Sequence, residues 1–209
     1  MPPLLYYITD RRRFPGDARE QERRLLAKIR ECAAAGVDYI QLREKELSAR
    51  ELEALAYKAM TALDGSPSRL LINSRTDVAL ACNAHGVHLP GHDLAASDVR
   101  ALLARAGTEK KVIAVSAHSA GEVAYGESHG AGFAVFAPVF EKAGITNSAG
   151  LEQLRQVCRQ RASTMPVFAL GGVTLENARL CLEAGAAGIA GIRLFQENAV
   201  DRVVKFFWS

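Results

Sequence analysis

The sequence lacks long apolar runs, a large net charge and paired cysteine motifs, and each absence narrows the class of protein. No apolar stretch approaches the roughly 20 residues of a membrane-spanning helix, and "MPPLLYYITD" has no basic leader, so we expect neither a signal peptide nor a membrane partner. A net charge of +3 over 209 residues gives no broad cationic surface, so we expect no nucleic-acid partner.

The cysteines and histidines show none of the spacings that metal or redox sites use. No two of the four cysteines form a CxxC pair, which favours buried, reduced thiols in a cytoplasmic protein. No three or four ligands have the spacing of a zinc site. The sequence also has no G-x-S-x-G nucleophile elbow.

What the sequence does contain is a regular alternation of short apolar segments with amphipathic helical segments. The apolar segments are almost continuously hydrophobic, which is typical of strands covered on both faces. The predicted strands are residues 4–10, 37–44, 69–74, 86–90, 111–118, 133–139, 166–172 and 188–195.

This alternation predicts an α/β protein with a single-domain (β/α)8 TIM barrel over residues 1–209. The segments "AAAGVDYI", "CNAHGVHL" and "EAGAAGIAG" each read as a helix end, a glycine and then a strand. Such units need right-handed crossovers, and eight of them close into a barrel. An open doubly wound sheet has the same local pattern. Eight evenly spaced strands favour the barrel.

Helix termini can also be assigned from single residues. Two S-x-x-E patterns, Ser48 to Glu51 and Ser119 to Glu122, predict capping boxes at helix starts. Glycines follow three helical patterns and predict left-handed helix ends at Gly36, Gly107 and Gly185.

Chemistry in a barrel lies at the carboxyl ends of the strands, and strand two ends there with a polar trio. Gln41, Arg43 and Lys45 are two residues apart, so on a strand they point to one face. One amide and two cations together predict an anion site of pyrophosphate type. The alternative is a surface salt-bridge network with Glu44 and Glu46.

A second anion site is predicted after strands seven and eight. Gly171 and Gly172, followed by Thr174, place bare backbone N–H groups at a strand-to-helix turn. Arg193, assigned to the end of strand eight, adds a cation. The alternative is that the glycines merely permit a tight turn. The basic run from Arg11 to Arg13 is either solvated or touches a phosphate.

In order along the chain, these segments resemble the thiamin phosphate synthase and TenI superfamily. The resemblance runs nearly end to end and rests on "YYITDRR", "YIQLREKELSARELEALA", "LLINSRTDVALACNAHGVHLP", "VIAVSAHS", "FAPVF", "PVFALGGVTLENA" and "AGAAGIAGI". The resemblance implies thiamin biosynthesis. The implied enzyme joins hydroxymethylpyrimidine pyrophosphate to thiazole phosphate; pyrophosphate leaves first and the thiazole nitrogen captures the resulting pyrimidine methylene cation.

The resemblance also assigns roles to individual residues. Gln41, Arg43 and Lys45 would hold the pyrimidine pyrophosphate with help from Asn73, and Asp93 would bind Mg²⁺. Ser116 matches a substrate-contacting serine. The thiazole phosphate would be held by Gly171, Gly172, Gly191, Ile192 and Arg193.

The sequence departs from both activities of the superfamily. Ser74 stands where synthases have a second metal aspartate, and a T-x-T-K loop is replaced by "FEKAGITNSAG", with Lys142 as the candidate for its lysine. Pro138 occupies the place of the histidine that TenI-type thiazole tautomerases use. A tautomerase would therefore need His118 or His92 as its base.

We expect a transferase, with Arg43, Lys45, Lys142 and His118 as candidate catalytic residues and Ser74 as a substrate contact. A thiazole tautomerase is one alternative, and a non-catalytic protein that binds thiazole or thiamin phosphate is another. The aromatic end of the chain, Phe206 to Trp208, either docks onto the barrel's own helices or forms a homodimer contact.

Overall fold

A computed structural model describes residues 2–140, 148–160 and 165–208 and contains a closed parallel barrel. All eight predicted strands are present, which confirms the TIM barrel and excludes the open sheet. The strands are β1 (Leu4–Ile8), β2 (Tyr39–Leu42), β3 (Arg69–Asn73), β4 (Gly86–Leu89), β5 (Val112–Ala117), β6 (Phe133–Phe136), β7 (Val167–Ala169) and β8 (Gly188–Gly191).

The barrel closes where β8 pairs with β1. The strands follow in sequence order, and Leu4 pairs with Gly188 at the seam. A Cβ atom on Gly188 would lie 2.3 Å from the Leu4 carbonyl oxygen and 2.7 Å from the Phe168 ring. Because no real Cβ approaches so closely, glycine is needed for the two strands and the ring to meet.

Helices follow the strands and cover the outside of the barrel. None of the helices in the described ranges is long and apolar enough to cross a membrane. The helices are α1 (Ala18–Ala34), α2 (Ala49–Thr61), α3 (Thr76–Ala81), α4 (Ala96–Arg105), α5 (Ala120–Ser128), α6 (Ser148–Gln160), α7 (Ala178–Glu183), α8 (Arg193–Gln196) and α9 (Val200–Trp208).

The predicted helix signals are confirmed with one difference. Ser48 and Glu51 form a complete capping box at the start of α2. Ser119 caps α5 through the Glu122 N–H, but the Glu122 carboxylate accepts from the His118 N–H instead of completing the box. The three predicted glycine ends all have positive φ: Gly36 at 86°, Gly107 at 67° and Gly185 at 101°.

Alternation along the strands divides the apolar residues into two cores. One face of each strand packs against the helices, as Leu70 and Val87 do. The other face fills the barrel, where the Tyr6 ring meets the Phe133 ring edge-on at 5.5 Å between centroids. The barrel interior is therefore packed, and only its rim is open to a ligand.

Several strands end earlier than predicted, and the change matters most for strand eight. β8 stops at Gly191, and Ile192 has α-helical backbone angles that lead directly into α8. Arg193 is thus the first residue of a short helix and not a strand end. β7 also stops early, at Ala169, because Gly171 and Gly172 have φ of 95° and 62° and cannot continue a strand.

The aromatic end of the chain packs on the barrel's own helices. Phe207 is buried, and the Arg179 guanidinium lies over the Phe206 ring, 5.4 Å from its centroid. The Trp208 ring approaches Gly36 at the end of α1. A homodimer contact stays a prediction.

Candidate active site

A cavity of about 360 Å³ opens at the ends of β2 and β3. We call it the β2–β3 cavity. It is lined by Lys45, Asn73, Ser74, Arg75 and His92, among others. The strand register explains this grouping. Gln41 on β2 pairs with Leu71 on β3, so the residues two positions further along, Arg43 and Asn73, also lie side by side. Three predicted site residues, Lys45, Asn73 and Ser74, therefore share one space.

Arg43 and Lys45 have no carboxylate partner among the described residues. Instead, Arg11 takes the neighbouring acids: its Nε lies 2.8 Å from Glu46 Oε1 and 4.0 Å from Glu44 Oε2. The salt-bridge network suggested as an alternative exists, but it uses Arg11, and Arg12 at 3.8 Å from Glu46, in place of the trio's cations. Two rim cations are thus left for an external anion.

Glu44 links the ends of β1 and β2. Its side chain is 3% exposed, and its carboxylate accepts from the Thr9 hydroxyl and from the Arg11 N–H at 2.9 Å. The Thr9 oxygen in turn accepts from the Arg43 N–H at 2.9 Å. Burial raises the pKa of Glu44 to about 7, although both hydrogen bonds oppose that rise. The backbone of Arg43 is therefore fixed through Thr9.

Amide side chains and one strained residue complete this side of the rim. The Gln41 amide donates to Asn73 Oδ1 at 3.3 Å, and Gln41 is buried. Ser74 has a φ of 64°, a left-handed conformation that is unfavourable for serine. Backbone strain of this kind clusters at functional sites, so it agrees with a site at Ser74.

A second cavity, of about 170 Å³, lies at the ends of β7 and β8. We call it the β7–β8 cavity. The predicted phosphate-loop residues come together there, and one further cation joins them. Its lining includes Arg13, Gly171, Gly172, Gly191, Ile192 and Arg193.

The helix beside the β7–β8 cavity is not the one that the sequence indicated. The helix after β7 begins only at Ala178, six residues beyond Gly172. The intervening turn is held by Asn177, which accepts from the Thr174 N–H at 2.8 Å and donates to the Gly172 carbonyl at 3.0 Å. The adjacent helix is α8, in agreement with the phosphate sites that barrels build after strands seven and eight.

In the described part of the chain the two cavities share no lining residue, and Arg43 lines neither of them. Lys45 and the glycine turn therefore line different cavities. Residues 141–147, between β6 and α6, lie outside the described part of the chain, so the placement of Lys142 stays a prediction.

Asp93 and Ser116 line a third cavity, of about 290 Å³, between the ends of β4 and β5. Asp93 Oδ1 accepts from the Leu94 N–H at 2.8 Å, whereas its buried Oδ2 has no partner in the described residues. No group of three or more His, Cys, Asp or Glu residues that could hold a metal occurs in the described ranges. A cation here would need oxygens from a substrate.

The candidate bases for a tautomerase differ in position. His118 is exposed directly after β5, and its Nδ1 lies 2.6 Å from the Ala137 carbonyl oxygen. His92 lines the β2–β3 cavity. Pro138, in the place of the tautomerase histidine, carries no proton to transfer.

Some residues at the site had only a weak signal in the sequence. Arg13 belongs to the basic run for which contact with a phosphate was one of two alternatives, and it lines the β7–β8 cavity. Glu44 was expected only as a salt-bridge partner, and its contact with Thr9 was not predicted because that contact joins two loops. His88 lies in β4 with its side chain in the barrel, where its Nε2 is 2.8 Å from Ser116 Oγ.

Comparison with known proteins decides the family. A family model described as thiamine monophosphate synthase matches residues 5–195. The chain belongs to this family. The match begins at the second residue of β1 and includes the other seven strands and the residues that line both cavities.

Individual members of the thiamine monophosphate synthase family agree in length and fold. The putative thiamine-phosphate synthase 2 of Aquifex aeolicus is 37% identical over 197 residues, which are 93% of this chain and 98% of that protein. The thiamine-phosphate synthase of Syntrophomonas wolfei is 38% identical over 90% of this chain and 86% of its own. The thiamine phosphate pyrophosphorylase structure from Pyrococcus furiosus superposes with a TM-score of 0.80 at 28% identity, covering 98% and 93% of the two chains.

Proposed function

We propose that this protein is a thiamin phosphate synthase-type transferase. It joins hydroxymethylpyrimidine pyrophosphate to thiazole phosphate and releases pyrophosphate. Membership of the family and synthase relatives of nearly full length support the reaction type. The observation that carries the assignment of the site is the pair of rim cations, Arg43 and Lys45, which lack a carboxylate partner in the described part of the chain.

The first substrate is assigned to the β2 side of the rim. Arg43 and Lys45 neutralise the pyrophosphate as its bond to the pyrimidine methylene breaks, and this stabilises the charge that develops on the leaving group. Gln41 and Asn73 donate neutral hydrogen bonds beside them. The Gln41–Asn73 contact fixes both amides before the substrate binds, which favours alignment of the reactants.

The second substrate is assigned to the β7–β8 cavity. The backbone of Gly171 and Gly172 admits a phosphate closely because no Cβ is present, and Arg193 supplies positive charge. Arg13 also lines the cavity, although its guanidinium donates to Glu197 at 2.9 Å. For the reaction, a thiazole held there by its phosphate must extend across the rim toward the β2 side. Its nitrogen then captures the pyrimidine methylene cation, and the new C–N bond gives thiamin phosphate.

Magnesium fits the cavity between β4 and β5, which shares Pro90 with the β2–β3 cavity, through one carboxylate. Asp93 Oδ2 is buried without a partner in the described residues, and Mg²⁺ often binds through one or two carboxylates together with substrate phosphates. When bound, the ion would neutralise further charge on the pyrophosphate. Ser74 provides a hydroxyl where the resemblance implies a second carboxylate.

An assay with both substrates and Mg²⁺, read by chromatography of thiamin phosphate, tests the assignment. We expect turnover by the wild type and a large loss in Lys45→Ala. Absence of product at high enzyme concentration would refute the transferase. Equal activity of Lys45→Ala and wild type would refute the role of the rim cations.

A further inference from the structure

A chain of three side chains connects the centre of the barrel to its mouth. The Tyr6 hydroxyl lies 3.1 Å from His88 Nδ1, and His88 Nε2 lies 2.8 Å from Ser116 Oγ. The residues come from β1, β4 and β5, so the chain crosses the barrel interior. Tyr6 is fully buried and His88 is 3% exposed, so exchange with water does not provide alternative partners for their protons.

The direction of the protons follows from what each group can donate. The Tyr6 hydroxyl has His88 as its hydrogen-bond partner in the described residues, and burial raises its pKa, so the phenol keeps its proton. A neutral imidazole has one donor nitrogen and one acceptor nitrogen. If Nδ1 carried the proton, the buried Tyr6 proton would have no acceptor. With Nδ1 as the acceptor, the Tyr6 proton has an acceptor and the proton on Nε2 faces Ser116 Oγ.

The imidazole is held in its neutral form by its surroundings. Burial and then the positive charge of Arg43 lower the pKa of His88 to about 3. A neutral ring that accepts at Nδ1 must donate from Nε2. Ser116 Oγ therefore receives a hydrogen bond, and its own proton is left for another acceptor.

We propose that Tyr6 and His88 are positioning residues that fix Ser116 as a hydrogen-bond donor toward the pyrimidine substrate. The proposal rests on the proposed function. The placement favours the pyrimidine over the thiazole: in the strand ladder His88 pairs with Asn73, whose Oδ1 accepts from Gln41. Pyrimidine ring nitrogens are acceptors, so a hydroxyl whose proton points out of the chain suits them.

The tautomer is the first test and does not depend on activity. Long-range proton–nitrogen NMR correlation on histidine-labelled protein at pH 7 should show His88 neutral with the proton on Nε2. In Tyr6→Phe the Nδ1 resonance should shift, because it loses its hydrogen-bond donor. A proton on Nδ1 in the wild type would overturn the proposal even if the transferase assay succeeds.

The functional role is tested by coupling between the two ends of the chain. Tyr6→Phe should lower kcat/KM for the pyrimidine substrate by about 5- to 10-fold, as expected for loss of one buried hydrogen bond. In a Ser116→Ala background the same change should cost nothing further. An equal loss in both backgrounds would mean that Tyr6 acts only on packing, and no loss in either would show that Tyr6 does not position Ser116. Both results would overturn the proposal.

Two further variants separate polarity from shape. His88→Gln keeps one acceptor and one donor and should retain most of the activity, whereas His88→Leu should not. Tyr39→Phe is the matched control, because Tyr39 lies in the same aromatic cluster, 5.9 Å from Tyr6 between ring centroids. Tyr39→Phe should leave kcat/KM unchanged, and a loss equal to that of Tyr6→Phe would contradict the proposal. Melting temperatures establish that each variant is folded.

Discussion

The two cavities at the mouth of the barrel differ in the groups that line them. The β2–β3 cavity and the neighbouring Arg43 depend on side-chain cations, whose natural counter-ions are occupied by Arg11. The β7–β8 cavity is lined by Arg193 and by Arg13, which pairs with Glu197 at 2.9 Å, and its backbone turns through two consecutive glycines with positive φ. The first arrangement should respond mainly to changes of charge, and the second also to added steric volume. Added volume at the glycines should therefore affect the β7–β8 cavity and spare the other.

The largest expected effect concerns the buried carboxylate on the β2 side. The pKa of Glu44 is raised from 4.5 to about 7, so between these pH values the folded state keeps a proton that the unfolded state has lost. Unfolding then releases a proton, and the free energy of unfolding falls as the pH rises through this window. The full shift corresponds to about 3 kcal/mol.

Urea unfolding at several pH values between 4 and 8, compared with Glu44→Gln, measures this effect. Glutamine resembles the protonated acid, so the free energy of unfolding of Glu44→Gln should not fall with rising pH in this window. The stability of the variant relative to the wild type should therefore increase as the pH rises. The exposed Glu183→Gln is the control and should follow the wild type. Parallel pH profiles of Glu44→Gln and wild type would show that Glu44 titrates normally.

The next largest effect is expected at the free cation beside this cavity. Arg43→Ala should lower kcat/KM for the pyrimidine pyrophosphate by about 10- to 150-fold, because a charged hydrogen bond is worth roughly 1.5–3 kcal/mol. KM for thiazole phosphate should change little. Arg50→Ala removes an exposed arginine from the first turn of α2 and should be neutral. If both arginine variants behaved alike, general charge rather than the site would be responsible.

A smaller effect is expected from adding volume on the β7–β8 side. Gly171 has a φ of 95°, and a Cβ there would lie 2.8 Å from Pro138 Cα. Gly171→Ala should cost about 1–3 kcal/mol of stability by overpacking and should raise KM for thiazole phosphate. Urea unfolding and the two KM values measure it.

Gly107→Ala provides a matched comparison for Gly171. Gly107 has a φ of 67°, but a Cβ there would have nothing within 4 Å. Gly107→Ala should lose less stability than Gly171→Ala, because only the backbone strain at positive φ opposes it. Its KM values for both substrates should not change. If the two variants lost the same stability, the effect at Gly171 would come from its positive φ alone and not from the close approach of Pro138.

How far the sequence predicts this molecule depends on the range of the interactions. The eight strands follow from local apolar runs, and the helix ends from single caps such as Ser48 and Gly36. The separation between the two cavities does not follow, because it depends on how loops from distant strands meet. The pairing of Arg11 with Glu44 and Glu46 could not be predicted for the same reason. Arg43 and Lys45 are nearer to these two acids in the sequence, but the fold brings Arg11, in the loop after β1, beside them.

The smallest expected effect tests why the rim cations are free. In Arg11→Met the Glu44 carboxylate loses its guanidinium partner and Glu46 keeps only Arg12, whose Nε lies 3.8 Å from Glu46 Oε2. Both acids are then freer to pair with the neighbouring Lys45. The loss of one partly exposed ion pair is worth about 1 kcal/mol, so inhibition by pyrophosphate should weaken about fivefold. Adding Glu46→Gln to Arg11→Met should restore part of that affinity, since one competing carboxylate is removed. If the double variant binds pyrophosphate no better than Arg11→Met, the acids do not compete for the rim cations, and the contrast between the cavities needs another explanation.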